Sequence, residues 1–374
     1  MGKTNKYGAF ERLSFPSTLN KKMNVKIIGT GSYIPEHAIT NQDFDLFDFR
    51  DSDGQPLKNS NEQIARKLQQ ITGIEERRYV NDQLVCSDIA TSAAKKAISD
   101  SDIDPETLDY IIFAHNFGDI KKGTIQSDIV PSLASRVKHN LQIKNPNCVA
   151  FDVLFGCPGW LLGMIQAYAF MKSGLANRCL VIGAETLSRV IDLHDRDSMI
   201  YADGAGATIL ENTLDNGGVL SVKNATYAFE ESNFIHFGKS YNADLDCNTK
   251  YIKMYGRKIY EFALTQVPAA MKACLDQSGV PITSIKKVII HQANEKMDEA
   301  IVKRFYELFG LEMPMNIMPM NIQKLGNSSV ATLPTLYDMI LKEQMDDHRL
   351  QKGDIVLFAS VGAGMNINAM VYQI

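Results

Sequence analysis

The sequence predicts an α/β protein in which strands and helices alternate and the second half repeats the plan of the first. Three observations carry this expectation. Short continuous apolar runs such as Leu108–Ala114 and Cys148–Leu154 suit strands buried on both faces of largely parallel sheets. Stretches of helical spacing separate them, the alternation of layered α/β folds. Finally, elements of the first half recur in the second, in order and at a nearly constant offset. Helix Ser87–Ser99 precedes strand Leu108–Ala114, which ends at His115; helix Lys258–Gln277 precedes strand Lys287–Ile290, which ends at His291. Phe155-Gly156-Cys157 opens one helix and Leu325-Gly326-Asn327 another, and strands Arg178–Gly183 and Asp354–Ala359 follow them.

Taken in order, residues 1–22 carry no apolar period and read as an N-terminal extension. Met23 precedes the first convincing strand, Asn24–Ile28, which runs into a turn at Gly29-Thr30-Gly31. Asn41–Ala65 is polar, holds Asp53-Gly54 and Pro56, and reads as loop with helical ends. Ser87 is placed as the N-cap of its helix. Cys148–Leu154 leads into an amphipathic helix from about Cys157 to Lys172, and Gly206–Leu210 is a further buried strand. The polar, Asn-rich stretch Glu211–Lys223 marks the junction, which divides the chain into halves 23–215 and 216–374. Paired about a pseudo-two-fold, these halves put Cys157 and Asn327 at equivalent helix N-termini with His291 near the same seam.

Composition removes several classes of function. With 39 Lys+Arg against 43 Asp+Glu the formal charge is −4, which excludes a nucleic-acid binder relying on bulk positive charge. An apolar fraction of 45% with 22% charged residues excludes a disordered chain, a collagen and a coiled-coil rod. No apolar stretch approaches the ~18–20 residues needed to span a bilayer, and the N-terminus lacks the apolar segment of a secretory signal. The 6 Cys fall at no paired spacing, so neither a disulfide framework nor a zinc site is expected. A cytoplasmic enzyme with reduced thiols and no bound metal follows.

Cys157 is the first candidate for chemistry. It follows a buried strand and opens a helix, whose unpaired backbone N–H groups favour a thiolate and lower the thiol pKa. Pro158 suits the first helical turn, and Gly156 and Gly159 permit a tight turn. His291 ends a buried strand in His291-Gln292-Ala293-Asn294; imidazole partners nucleophilic thiols and polarises carbonyls. Asn327, in Gly326-Asn327-Ser328-Ser329, either caps its helix or belongs to a site. Cys, His and Asn together fit a papain-like triad, and equally a condensing enzyme whose His and Asn hold a thioester oxygen. The turn Ser360-Val361-Gly362-Ala363-Gly364-Met365 could supply an N–H to an oxyanion hole; it is no dinucleotide fingerprint, since no third Gly follows.

These segments together resemble the thiolase-fold condensing enzymes, and most closely the 3-oxoacyl-acyl-carrier-protein synthase III family (ketoacyl synthase III). The resemblance runs from about Met23 to Ile374 and rests on Asp152–Gly163, Val181–Ser188, Tyr201–Ala207, His291–Asn294, Gly326–Ser329 and Gly362–Gly364, in order. It implies a duplicated five-layer αβαβα sandwich, usually a homodimer. It implies that Cys157 takes an acyl group as a thioester and that His291 and Asn327 bind the carbonyl of a malonyl-carrier extender. Backbone N–H groups of Cys157 and Gly364 match the family's oxyanion hole. Thiolases need a second Cys near the last glycine loop, where Met365 stands. Hydroxymethylglutaryl-CoA synthases use a Glu base with no evident counterpart in this set. Plant-type polyketide synthases end in a Gly-Phe-Gly-Pro-Gly loop absent here, and ketoacyl synthases I and II use a second His where this chain has Asn327.

Two departures shape the expected substrate. The family's Trp and Arg that clamp the CoA adenine are replaced by Lys67 and Ile71, which favours an acyl carrier protein over CoA as the donor. The stretch Asn116–Val130 before Pro131-Ser132 is longer than the family usually has, which suggests a changed acyl group, as in ketosynthases that build resorcinol-type lipids. The resemblance thus implies decarboxylative Claisen condensation, with a non-decarboxylating acyl transferase or thioester hydrolase as the alternative. No cofactor is expected beyond the carrier's phosphopantetheine, and neither nucleic acid nor membrane as partner. An acidic carrier needs a basic docking surface, and Arg257, Lys296 and Arg304 are its candidates, with Lys258 and Lys303 alongside.

Overall fold

The computed structural model describes residues 23–246 and 248–374; the expected N-terminal extension lies outside them. Strand β1 (Asn24–Tyr33) runs straight through Gly29-Thr30-Gly31, where a turn was expected. The glycines serve a close approach instead: a Cβ on Gly29 or Gly31 would stand 2.5 Å from the carbonyl oxygen of Ala97 or Ala93 on the helix above. Next comes β2 (His37–Thr40), then helix α1 (Asn61–Thr72), capped by Ser60, and β3 (Glu76–Tyr79), which pairs antiparallel with β2. Helix α2 (Cys86–Ser101) has Val85 at its N-cap, two residues before the expected Ser87. It is followed by β4 (Tyr110–Ala114), α3 (Leu133–Asn140), β5 (Val149–Val153), α4 (Gly159–Lys172), β6 (Arg178–Thr186) and β7 (Asp203–Thr213).

The second half opens with β8 (Gly218–Thr226) and a hairpin of β9 (Ile235–Lys239) and β10 (Lys250–Met254). Then follow α5 (Gly256–Ser278), β11 (Ile285–Ile290), α6 (Glu295–Glu307), α7 (Ile322–Leu325), α8 (Thr332–Leu341), β12 (Ile355–Gly362) and β13 (Asn366–Gln373). Among the described residues the first sheet has the order β1-β7-β6-β4-β5 and the second, read from its far edge, β8-β13-β12-β11. The pairings match step for step. β1 against β7 and β7 against β6 are antiparallel, as are β8 against β13 and β13 against β12; β6 with β4 and β12 with β11 are parallel. The expectation of largely parallel sheets is corrected to mixed ones. The return from β12 to β13 is a tight turn at Ala363–Met365, and such a connection permits only antiparallel neighbours.

Helices α4 and α8 lie between the sheets; α2 and α3 cover the outer face of the first, and α5 and α6 that of the second. This is the five-layer αβαβα sandwich. Helix α4 was expected to be amphipathic, but Trp160, Leu161, Gly163, Met164, Ile165 and Ala167 are all buried, because it faces a sheet on either side. β5 was expected to be buried on both faces and is instead the sheet's edge: Val149 is exposed, and Leu154 beyond it is 64% exposed.

Candidate active site

The ends of β4, β5, β11 and β12 converge on one cavity of about 300 Å³ whose wall is mostly apolar. Cys157, His291 and Asn327, which sequence spacing alone leaves far apart, all line it. Cys157 and His291 are brought there by strand ends, and Asn327 by the segment that follows α7. Cys157 sits in the turn between β5 and α4; Gly156, at φ 67, lets that turn close against Ala363. Gly362 passes so near the Cys157 backbone nitrogen that no side chain fits at 362. His291 ends β11, its N–H bonded to the Ala359 carbonyl at 2.9 Å. Asn327 was expected at a helix start, but α8 begins at Thr332 after a 3-10 turn at Ser329–Ala331. Asn327 instead bridges Tyr201 in parallel, with its N–H bonded to Ile200 and its carbonyl accepting from Ala202, both at 2.9 Å. Cys157 stands two residues before the first residue of α4 and Asn327 five before that of α8, so the two are not equivalent helix starts.

The electrostatics differ from the sequence expectation at the thiol. Helix α4 starts at Gly159, and Cys157 is enclosed by the cavity wall. Burial pushes its thiol up to about 11, while a hydrogen bond from Ser329 Oγ to Sγ at 3.3 Å pulls the other way. Desolvation is the largest of these influences, so the thiol lies above its ordinary value and not below it as a helix start predicts. Burial likewise depresses His291 to about 4, and its Nδ1 has no hydrogen-bond partner among the described residues. The imidazole is therefore neutral at physiological pH. Asn327 Oδ1 accepts from Ser329 N–H at 2.8 Å, which fixes the amide and turns its Nδ2 donors away from that contact. Gln292 braces the same corner: its Oε1 accepts from the N–H groups of Asn321 and Ile322, and its Nε2 donates to Pro319.

Residues that sequence reasoning gave no role complete the wall. Asn116 lines it from the end of β4, and the buried Glu185 stands behind, pushed up to about 8 by burial. Ile235, Phe237, Ile252 and Met254 enter from the β9–β10 hairpin, and Phe237 stacks on Phe117 with centroids 5.1 Å apart. Gly364, at φ 77, lies at the tip of the turn; Gly362, Ala363 and Met365 are the lining residues there. A second groove joins the cavity through Ile200, Met254, Ile259, Ala293 and Met297 and opens past Lys67, Ile71, Arg196, Arg257 and Tyr260. Arg257 is 92% exposed at its side chain and pairs with Glu261 at 2.9 Å. Lys296 and Lys303 border a shallow surface groove on α6, and the exposed Arg304 donates to the Leu264 carbonyl at 3.1 Å. Among the described residues no cluster of His, Cys, Asp or Glu is arranged to hold a metal ion.

Comparison with known proteins agrees with this architecture. Residues 151–228 match the model for 3-oxoacyl-[acyl-carrier-protein (ACP)] synthase III and residues 275–374 the model for its C-terminal part. The beta-ketoacyl-[acyl-carrier-protein] synthase III of Aquifex aeolicus is 32% identical over 352 residues, covering 94% of this chain and 100% of that one. The enzyme of the same name from Caldanaerobacter subterraneus is 32% identical, covering 92% and 96%. The Aquifex aeolicus crystal structure superposes with a TM-score of 0.77 over 94% of this chain and 100% of that one, at 30% identity. The priming beta-ketosynthase of the R1128 polyketide pathway, at 21% identity and a TM-score of 0.78 over 96% and 99% of the two chains, shares the fold. Two matching halves, a thiol, an imidazole and an amide on one cavity, and relatives aligned along nearly the whole chain lead to one assignment: the chain belongs to the 3-oxoacyl-[acyl-carrier-protein] synthase III family and is an acyltransferase of that kind.

Proposed function

We propose that the protein performs a decarboxylative Claisen condensation between an acyl group held on Cys157 and a malonyl- or 3-oxoacyl-type carrier thioester, in fatty-acid or resorcinol-type lipid biosynthesis. The observation that supports it most is that Cys157 shares an apolar cavity with two uncharged donors, His291 and Asn327. In the first step the Cys157 sulfur attacks the acyl thioester. Its S–H bond and the acyl–carrier bond break, and the acyl–Cys157 bond and a carrier thiol form. The extender then binds with its thioester oxygen against His291 and Asn327 and loses CO₂. The electron pair left on carbon is held as an enolate, which neutral donors stabilise without taking a proton. The enolate attacks the acyl carbonyl, with the N–H groups of Cys157 and Gly364 assigned to its oxyanion, and the Cys157 thiolate departs.

An apolar cavity suits an aliphatic acyl chain. At its mouth the ammonium of Lys67 and the aliphatic side chain of Ile71 replace an adenine clamp, which favours donors on the phosphopantetheine of an acyl carrier protein. Arg257, Lys296 and Arg304 are assigned to dock that carrier, and the exposed edge strand β5 to pair with a second copy as a homodimer. Malonyl-carrier labelled at the free carboxyl tests the reading. Release of labelled CO₂ that depends on His291 and Asn327 supports it. Intact malonyl thioester alongside turnover of acyl-Cys157 overturns it in favour of a non-decarboxylating transferase or hydrolase.

A further inference from the structure

A chain of side chains leads away from the Cys157 sulfur that the condensation above does not use. Its anchor is Glu185 near the end of β6, 1% exposed, whose Oε1 accepts from Asn116 Nδ2 at 2.6 Å. The orientation of the Asn116 amide is fixed from its other side, because Asn116 Oδ1 accepts from Gly156 N–H at 2.9 Å, in the turn that carries the nucleophile. Asn116 Nδ2 also donates to Ser329 Oγ at 3.3 Å. A serine hydroxyl has one hydrogen and two lone pairs. With a lone pair occupied by the amide, the hydrogen of Ser329 goes to its remaining partner, Cys157 Sγ, at 3.3 Å. No other side chain hydrogen-bonds that sulfur among the described residues.

The backbone of Ser329 adds an independent observation. Its φ is 53, a left-handed conformation that non-glycine residues adopt at a cost. Asn327 Oδ1 holds it there by accepting the Ser329 N–H at 2.8 Å. Glycine would occupy this position with less strain, so a side chain here costs stability and its hydroxyl is the group that meets the sulfur.

We infer that Ser329 is a further catalytic residue, whose hydroxyl donates to the Cys157 sulfur and stabilises it as a thiolate, while Asn116 and Glu185 are positioning residues that aim this hydroxyl. The inference rests on the assignment of Cys157 as the acylated nucleophile. Ser329 keeps its hydrogen throughout; the thiol proton ends on the departing carrier thiol. The same donor serves twice, when the sulfur attacks and when it is expelled after condensation. Because the site is apolar and His291 is neutral, a hydroxyl aimed at the sulfur replaces the charged partner that activates many cysteine nucleophiles.

The test is the alkylation rate of Cys157 by iodoacetamide in the full chain, followed by peptide mass spectrometry and compared with the melting temperature. Ser329→Gly removes the donor and relieves the φ, so the two readouts should move apart. Alkylation at about pH 8 should slow about ten-fold, as expected for a lost charge-assisted hydrogen bond, while the melting temperature holds or rises. Asn116→Ala, which frees the hydroxyl to rotate, should slow alkylation in the same direction by a smaller factor. Unchanged alkylation in Ser329→Gly overturns the inference, as does slowing matched by a lower melting temperature, since that is the signature of a merely structural residue. Unchanged alkylation in Asn116→Ala overturns the aiming role. Failure of the condensation reading would appear separately, as intact malonyl-carrier with the wild-type protein, and would leave the alkylation comparison as it stands.

Discussion

Cys157 and His291 are driven by the same physical cause towards uncharged forms, the thiol because its pKa rises and the imidazole because its pKa falls. Cys157→Ala removes one sulfur at the cavity wall and should abolish self-acylation, read by intact-protein mass spectrometry after exposure to acyl-carriers, with the melting temperature nearly unchanged. Acyl mass retained on the variant would show that the nucleophile lies elsewhere. Glu185 gives the pH prediction. Its pKa rises from 4.5 to about 8 in the folded chain, so between those values the folded state binds more protons than the unfolded state. The stability that this contributes is full below pH 4.5 and is lost as pH rises through about 8, on the order of a few kcal/mol. Glu185→Gln should therefore show a flatter melting temperature than wild type from about pH 5 to 8; equal slopes would mean that Glu185 is ionised in the fold. Cys157, His291 and Asn327 were legible in the sequence because each ends a recognisable apolar run or stands beside a glycine turn. Asn116, Glu185 and Ser329 were not, because they meet only when three separate elements are folded together. The direction of the Cys157 shift was misread because a sequence shows a helix start but not how deeply the sulfur is enclosed.

At the scale of elements, the β9–β10 hairpin was the part least visible in advance. Its short strands of half-buried, alternating residues lack the continuous apolar runs that mark β4, β6 and β12. It is pinned by Lys253, buried, whose Nζ lies 2.6 Å from Asp192 and 2.9 Å from Asp195 and 3.4 Å from the centre of the Tyr241 ring. Removing one member of such a buried group leaves charges without a partner, at a cost of about 3–5 kcal/mol. Lys253→Met should lower the melting temperature accordingly and weaken retention of acyl chains, since the hairpin carries Ile235, Phe237, Ile252 and Met254 into the cavity. An unchanged melting temperature would mean that the pair contributes no net stability. The repeated strand–helix plan, by contrast, was readable because burial on both faces writes itself into sequence as unbroken apolar runs. Mixed strand direction was not, because the same runs serve parallel and antiparallel neighbours alike.

For the whole molecule, the net charge of −4 conceals local basic patches. On α6 the side chain of Asp298 is fully buried while Glu299 is exposed, so of the two acidic residues between Lys296 and Arg304 only one stands in solvent beside Lys296, Lys303 and Arg304. Lys296→Glu should raise the KM for a carrier-bound substrate, most at low ionic strength, and leave a short pantetheine thioester unaffected. Equal effects on both substrates would place Lys296 in chemistry or folding. The position of the cavity has a larger consequence. Cys157 comes from the half that ends with β7, His291 and Asn327 from the half that begins with β8, and the Tyr201–Asn327 bridge stitches the two. Cut in the turn between Thr213 and Gly218, the chain would become two fragments that each keep a sheet and hold only part of the site. Mixed together, they should recover activity in proportion to the product of their concentrations at high dilution, so that turnover becomes a bimolecular report of whether the two sheets have found each other.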